Sequence, residues 1–209
     1  EIAQCLVGSE MCIRDSLEGE AKEQYRALSK ELSLLTLQFG ENNLKETNDY
    51  KLVLTDPAQL AGLPQSAIDA AAETAKEKGV EGWVFTLQAP SYSPFMTYAS
   101  NRDLRCKLYM AYNTKCTHDN ETNNLEIVKK LVNTRLAIAQ LLGYSSFAEY
   151  NLQERMAENS GNVYKLLDQL LDAYTPTAKQ EYAEVEALAR QLEGSDFTVM
   201  PWDLSLIHI

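Results

Sequence analysis

The stretch YRALSKELSLLTLQFGENNLKETNDYKLVLTDP, residues 25–57, changes its period part-way along, and that change sets the fold class. Its first half places Tyr25, Leu28, Leu32, Leu35 and Phe39 at three- and four-residue steps. That spacing makes one apolar stripe of a long amphipathic helix. Gly40 and Asn42-Asn43 loosen its end. From Tyr50 to Thr55 the pattern alternates and is aromatic or β-branched where a strand needs it, which predicts a short strand. Asp56-Pro57 then supplies an N-cap followed by proline at the first helical position.

Working outward, the helical period dominates. Pro64 opens a helix over AIDAAAETAKEK that stops at Gly79. Gly82 to Gln88, GWVFTLQ, reads as a second strand able to pair antiparallel with 50–55. Two strands alone are marginal, so helices must cover them. Pro90 and Pro94 bracket a short entry segment, and Asn101 caps a helix through Asp103, Leu104, Leu108 and Tyr112. Residues 116–124, CTHDNETNN, read as a polar loop. Val128, Val132, Leu136, Ala139 and Leu142 stripe a long helix ending at Gly143. Ser146-Phe-Ala-Glu149 is a capping box that opens the next helix. Val163, Leu166, Leu167, Leu170 and Leu171 continue the pattern, Thr175-Pro176 restarts the chain, and Val185, Leu188 and Leu192 stripe a last helix to Gly194. No repeat of fixed period appears, so a solenoid of identical units is not expected. The fold class expected is mainly α, with one small two-stranded antiparallel β element.

Bulk composition bounds the partners. Apolar residues make up 45% of the 209 and charged residues 23%, enough for an ordinary core. The formal net charge of −11 argues against nucleic acid and against an anionic membrane surface, both of which need a basic face. No apolar run is long enough to span a bilayer.

The ends read differently from the middle. EIAQCLVGSEMCIRDS (1–16) holds no sustained period, and LSLIHI (204–209) stops in an apolar run with no cap or turn. Both are expected to be non-native, adapter-like segments and are set aside from fold reasoning. This removes Cys5, Cys12 and His208 from consideration. The native region expected is 17–203, with one histidine, His118, and two cysteines, Cys106 and Cys116. Ten residues on one helix separate two cysteines by about 15 Å, too far for a disulfide. A reduced, cytoplasmic setting fits.

The chemistry expected within the chain is sparse. There is no H-E-x-x-H, glycine-rich phosphate loop, dinucleotide fingerprint or G-x-S-x-G elbow. Cys116 and His118 are close in sequence, but the reading preferred is a loop cysteine beside a solvated histidine rather than a nucleophile and its base. His118-Asp-Asn-Glu121 lacks the spacing and glycine of a calcium loop. Asn120-Glu-Thr122 is a glycosylation sequon of a kind frequent by chance. The tyrosines, Tyr92, Tyr98, Tyr109 and Tyr112 among them, are expected to pack with ring inside and hydroxyl at the rim, with some able to line a peptide groove. No residue is assigned a catalytic, cofactor-binding or metal-ligating role.

Four stretches in unbroken order carry a resemblance: LSKELSLLTLQFGENNLKETNDYKLVLTDPAQLAGLP (28–64), GWVFTLQAPSYSPFMTYASNRDLRCKLYMAYNTK (82–115), LAIAQLLGYSSFAEYNLQERMAEN (136–159) and MPWD (200–203). Together they resemble the zinc metallopeptidase family of thimet oligopeptidase and the bacterial peptidyl-dipeptidases (oligopeptidase A-like). Segments 82–115 and 159–189 point to the bacterial peptidyl-dipeptidase branch. The resemblance implies a large helical enzyme of two lobes around a deep channel, of which this chain is a multi-helix part of one lobe. It implies short peptides as substrates, release of C-terminal dipeptides, and zinc held by the histidines of H-E-x-x-H and a further glutamate. The glutamate of that motif would act as general base on zinc-bound water. No position here matches the motif. After Asp203 the family continues with another tryptophan and a pair of tyrosines, where this chain has Leu204-Ser-Leu-Ile. The expectation is a fragment that holds no zinc and is itself inactive, with some apolar stripes left without a partner. The alternative is a stand-alone helical protein-interaction module without catalytic activity.

Overall fold

A computed structural model describes residues 17–207; residues 1–16, including Cys5 and Cys12, and His208 lie outside it. The elements run α1 (Gly19–Asp49), β1 (Leu52–Leu54), a one-turn 3-10 helix (Pro57–Leu60), α2 (Gln65–Glu77), β2 (Trp83–Phe85), α3 (Ala89–Tyr98), α4 (Arg102–Asn113), α5 (Leu125–Leu141), α6 (Phe147–Leu152), α7 (Ser160–Glu193) and α8 (Leu204–Ile207). The fold is mainly α with one two-stranded antiparallel sheet, as the periods predict. The chain divides into two compact units. One takes the residues through Glu41 and Asn124–Asp172, the other Asn42–Asn123 and the residues from Ala173 onward.

The second unit holds the sheet. Leu52 faces Phe85, Val53 faces Val84 and Leu54 faces Trp83. Leu52 and Leu54 point inward and Val53 outward, the alternation a half-buried strand requires. The sheet packs with Leu60, Leu63, Ala71, Phe95, Met96, Ala99 and Leu108 into one buried cluster, and Trp202 packs against its edge. Phe85 and Phe95 meet edge to face with centroids 4.7 Å apart. Gly82 has φ +97, and a Cβ there would lie 2.1 Å from the Leu54 carbonyl oxygen, so the approach to β2 needs glycine. Tyr50 carries a buried hydroxyl with no hydrogen-bond partner among the described residues. Tyr50→Phe should therefore raise stability by about 1 kcal/mol, because an unsatisfied buried hydroxyl is a net cost. Urea denaturation of the two proteins measures it.

The caps read from sequence form. The Asp56 carboxylate accepts from the Ala58 N–H at 2.9 Å, Asn101 from Leu104 N–H at 3.1 Å and Ser146 from Glu149 N–H at 3.2 Å. The capping box is completed differently: the Glu149 carboxylate accepts the Ser160 hydroxyl.

Four local expectations are corrected. Helix α1 continues past Gly40 and Asn42-Asn43 to Asp49. Its last turns are held by Lys45–Asp49 at 2.8 Å and by the Thr47 hydroxyl on the Asn43 carbonyl at 2.7 Å. Pro94 lies inside α3 rather than at its boundary, and costs one bond near the helix start, where Pro90 already sits in the first turn. Thr175-Pro176 does not restart the chain, because α7 runs through Pro176. The strong helix formers after it, AKQEYAEVEALARQLE, carry the helix past one missing N–H. On α5 the buried face is Ile127, Leu131, Thr134, Ile138 and Ala139, while Val132, expected inside, is 57% exposed. Both faces of α5 are apolar, so period alone selects neither.

Several apolar side chains stay exposed. Leu34, Leu37 and Leu44 on α1, and Tyr164, Leu167, Leu171, Tyr174 and Leu192 on α7, present large apolar area to solvent.

Candidate functional site

The most elaborate polar cluster sits in the second unit, where the segment after α7 meets the start of α4. Arg102 and Arg105 are three residues apart on α4, a spacing that puts both guanidiniums on one helix face. Asp203 lies between them, 2% exposed. Arg102 Nε donates to Asp203 Oδ1 at 3.0 Å and Oδ2 at 3.2 Å, and its Nη2 donates to Oδ2 at 2.8 Å. Arg105 Nη2 donates to Oδ1 at 3.0 Å, and the Met200 N–H to Oδ2 at 3.0 Å. Arg105 also ties down backbone. Its Nη1 donates to the Ala99 carbonyl at 2.7 Å and the Ser100 carbonyl at 3.2 Å, and its Nε to the Trp202 carbonyl at 3.1 Å.

Burial alone would raise the Asp203 carboxyl. Hydrogen bonds from Arg102, the Met200 amide and Arg105, with the Arg102 charge, outweigh it and hold the group below the ordinary carboxylate range. Asp203 is therefore a fully engaged carboxylate, unsuited to act as a general base or to take up a metal. The arginine pair and Asp203 were not singled out from sequence. The available signals were the i, i+3 arginines and the MPWD stretch.

The second polar hub is Glu46 near the end of α1. Its Oε2 accepts from the Cys116 N–H and from the Thr122 hydroxyl, and His118 Nε2 lies 3.9 Å from Oε1. Cys116 lies in the turn after α4, takes φ 58 and is buried there; His118 is solvated as expected. Burial first, and then the Glu46 carboxylate, push the Cys116 thiol up to about 11. A thiol held there is not a nucleophile near neutral pH. Native Cys116 should resist alkylation at pH 8 and react at the ordinary rate once the chain is unfolded, as peptide-resolved mass spectrometry would show. Cys106 and Cys116 are both free, and Cys116 lies beyond the end of the helix that carries Cys106. The sequon asparagine is folded back on its own turn, with Asn120 Oδ1 accepting from the Thr122 N–H and hydroxyl.

Tyr92, Tyr109 and Tyr112 pack at rims. Tyr92 stacks on Tyr112 at 4.3 Å, with Lys115 Nζ 4.3 Å from the Tyr112 ring, and Tyr109 meets Trp202 edge to face at 5.9 Å. A cleft of about 470 Å³ lies between α2 and the start of α3. In it the Gln88 side chain donates to Asn48 at 2.8 Å and the Ser91 hydroxyl accepts from the Thr86 N–H at 2.9 Å.

Against known proteins, residues 95–206 match peptidase family M3. The chain belongs to peptidase family M3. Oligopeptidase A of Haemophilus influenzae is 34% identical over 192 residues, and that of Escherichia coli 35% over 193; each alignment covers 90% of this chain and 28% of the relative. The dipeptidyl carboxypeptidase of Escherichia coli is 30% identical over 183 residues, covering 87% of this chain and 27% of the relative. The chain thus spans little more than a quarter of the length of these M3 relatives. The M3 family implies zinc, and the donors among the described residues do not fit it. Among the described residues no three of His, Cys, Asp and Glu converge on a point where a metal could sit. The two candidate hubs are spoken for, Asp203 by two arginines and Glu46 by the 116–122 loop. Among the described residues no helix is long and apolar enough to cross a membrane.

Proposed function

We propose that this chain is a structural part of a zinc-dependent oligopeptidase that cleaves short peptides, with catalysis performed by residues outside it. The carrying observation is the M3 match over 95–206 together with alignment of 90% of the chain to oligopeptidase A relatives. In this reading the helices belong to one lobe, 17–203 is the native region, and the segments 1–16 and 204–209 are non-native. Zinc and its general-base glutamate come from an H-E-x-x-H motif elsewhere in the complete protein. The isolated chain is inactive. A cytoplasmic setting is supported by the free Cys106 and Cys116 and by similarity to a relative named a probable cytosolic oligopeptidase A, from Arabidopsis thaliana, at 31% identity.

A narrower reading, release of dipeptides from C-termini, is favoured by the similarity to the dipeptidyl carboxypeptidase. The test uses the complete protein and short peptides with free or amidated C-termini. Chelator-sensitive cleavage is expected. Cleavage only of peptides with free C-termini, two residues at a time, supports the narrower reading. Internal cleavage of both kinds removes it and leaves the oligopeptidase. Absence of any peptide cleavage by the zinc-loaded complete protein contradicts the proposal.

A further inference from the structure

Residues 197–203 are attached to the rest of their unit in an unusual way. Their backbone bonds are local: Phe197 N–H to the Gly194 carbonyl and Asp203 N–H to the Met200 carbonyl. Among the described residues, the hydrogen bonds that reach this segment from α4 come from two side chains, Arg102 and Arg105. Arg102 Nη2 holds the Thr198 carbonyl at 2.9 Å, Arg105 Nε holds the Trp202 carbonyl, and both hold Asp203. Arg102 also lies over the Phe197 ring, 4.5 Å from its centroid. Among the described residues no strand ladder joins the segment to the core it covers; the short α8 that follows it packs on α3. The segment's apolar contribution is buried Val199 with half-buried Phe197, Met200 and Trp202, the last resting on Tyr109 at the edge of the cluster rather than inside it.

The two arginines differ in a way that matters. Arg105 is 3% exposed and keeps the Ala99 and Ser100 carbonyls whatever happens to Asp203. Arg102 is 41% exposed and borders an open cleft of about 660 Å³ that Glu193, Asp196 and Phe197 also line. If the Asp203 charge goes, two cations face one another across the place it left. Repulsion and the pull of water on Arg102 then act in the same direction, away from the closed arrangement. The core behind keeps its own closure, since β1, β2, Phe85, Phe95 and Leu108 contact one another directly.

We propose that residues Phe197–Asp203 form a strap closed on the α3–α4 corner by charge, with Asp203 as its trigger, and that the strap opens as a piece while the sheet core stays folded. The groups facing Asp203 are Arg102 and Arg105 from α4 and the Met200 amide of the strap itself. Asp103 and Cys106 lie along α4 beside Arg102, and Glu193 and Asp196 line the cleft that Arg102 borders. Opening uncovers the Tyr109 ring and the aromatic-sized seat that Trp202 occupies.

The chain holds two tryptophans, and they separate the outcomes: Trp83 is in the sheet and Trp202 in the strap. The test is acrylamide quenching of each in single-tryptophan versions of the 209-residue chain, Trp83→Phe and Trp202→Phe, with and without Asp203→Asn. The expected result is red-shifted Trp202 emission and Trp202 quenching that rises toward that of free tryptophan. Trp83 quenching and the helical circular dichroism should not change. Arg102→Gln, which leaves the Arg105–Asp203 pair, should raise Trp202 quenching by less. Unchanged Trp202 quenching in Asp203→Asn would show that charge does not hold the strap. A joint change of Trp83 and Trp202 would show the strap to be an inseparable part of the core. A larger effect from Arg102→Gln than from Asp203→Asn would remove Asp203 as the trigger. Any of the three overturns the proposal.

Discussion

Asp203→Ala should lower the stability of the second unit by about 3–5 kcal/mol, the range for breaking a buried ion pair from one side. The cost comes less from attraction lost than from what remains. Arg105 is buried and fixed to the Ala99 and Ser100 carbonyls, so its charge is left with no counter-ion. The guanidinium can regain water only if the strap lifts, which places the loss toward the lower end of the range. Urea denaturation followed by circular dichroism measures it. The same carboxylate sets a pH dependence. Its folded value is below its unfolded one, so the stability it confers is complete above the ordinary carboxylate value of about 3.9. It is lost as the pH falls through the depressed folded value. The Asp203→Ala protein should lack that segment of the acid transition.

Phe95→Ala should cost about 3–5 kcal/mol by the transfer and cavity terms for a buried aromatic. Phe95 is fully buried and meets Phe85 edge to face, so its removal also takes the support from the strand that pairs with β1. The cluster members that would have to collapse into the space, Leu52 and Leu54 on β1 and Leu108 on α4, are tied by the sheet and by the Arg105 bonds to the α3–α4 corner. Little relaxation is available, which favours the upper part of the range. Thermal and urea melts of the variant give the number. A loss below about 1 kcal/mol would mean the cluster around the sheet repacks freely.

Local signals were legible where the chemistry is short-range. Asp56, Asn101 and Ser146 cap as their side chains dictate, and the two strands pair because their alternation and the glycine at 82 leave few other options. Prolines misled where something else outweighs one lost hydrogen bond: packing of the neighbouring Phe95 and Met96 at Pro94, and the run of strong helix formers after Pro176. The face of α5 misled because Val128, Val132 and Leu136 are as apolar as Ile127, Leu131 and Ile138; packing decides between such faces, and packing is long-range. The ion cluster was hidden for the same reason. Arg102 and Arg105 are about a hundred residues from Asp203 along the chain, and no local pattern joins them. Cys116 lies in the loop expected of it, but its burial was not legible because its neighbours are polar, and the turn at φ 58 brings its amide onto Glu46.

The central claim is that this chain supplies scaffold while the chemistry belongs to the rest of the peptidase. Zinc titration of the purified 209-residue chain, with metal content measured after gel filtration, tests it most directly. Substoichiometric zinc that washes off is expected, because His118, Cys116, Glu46 and Asp203 form no common site. One tightly held zinc per chain, with peptide cleavage that a chelator abolishes, would contradict it.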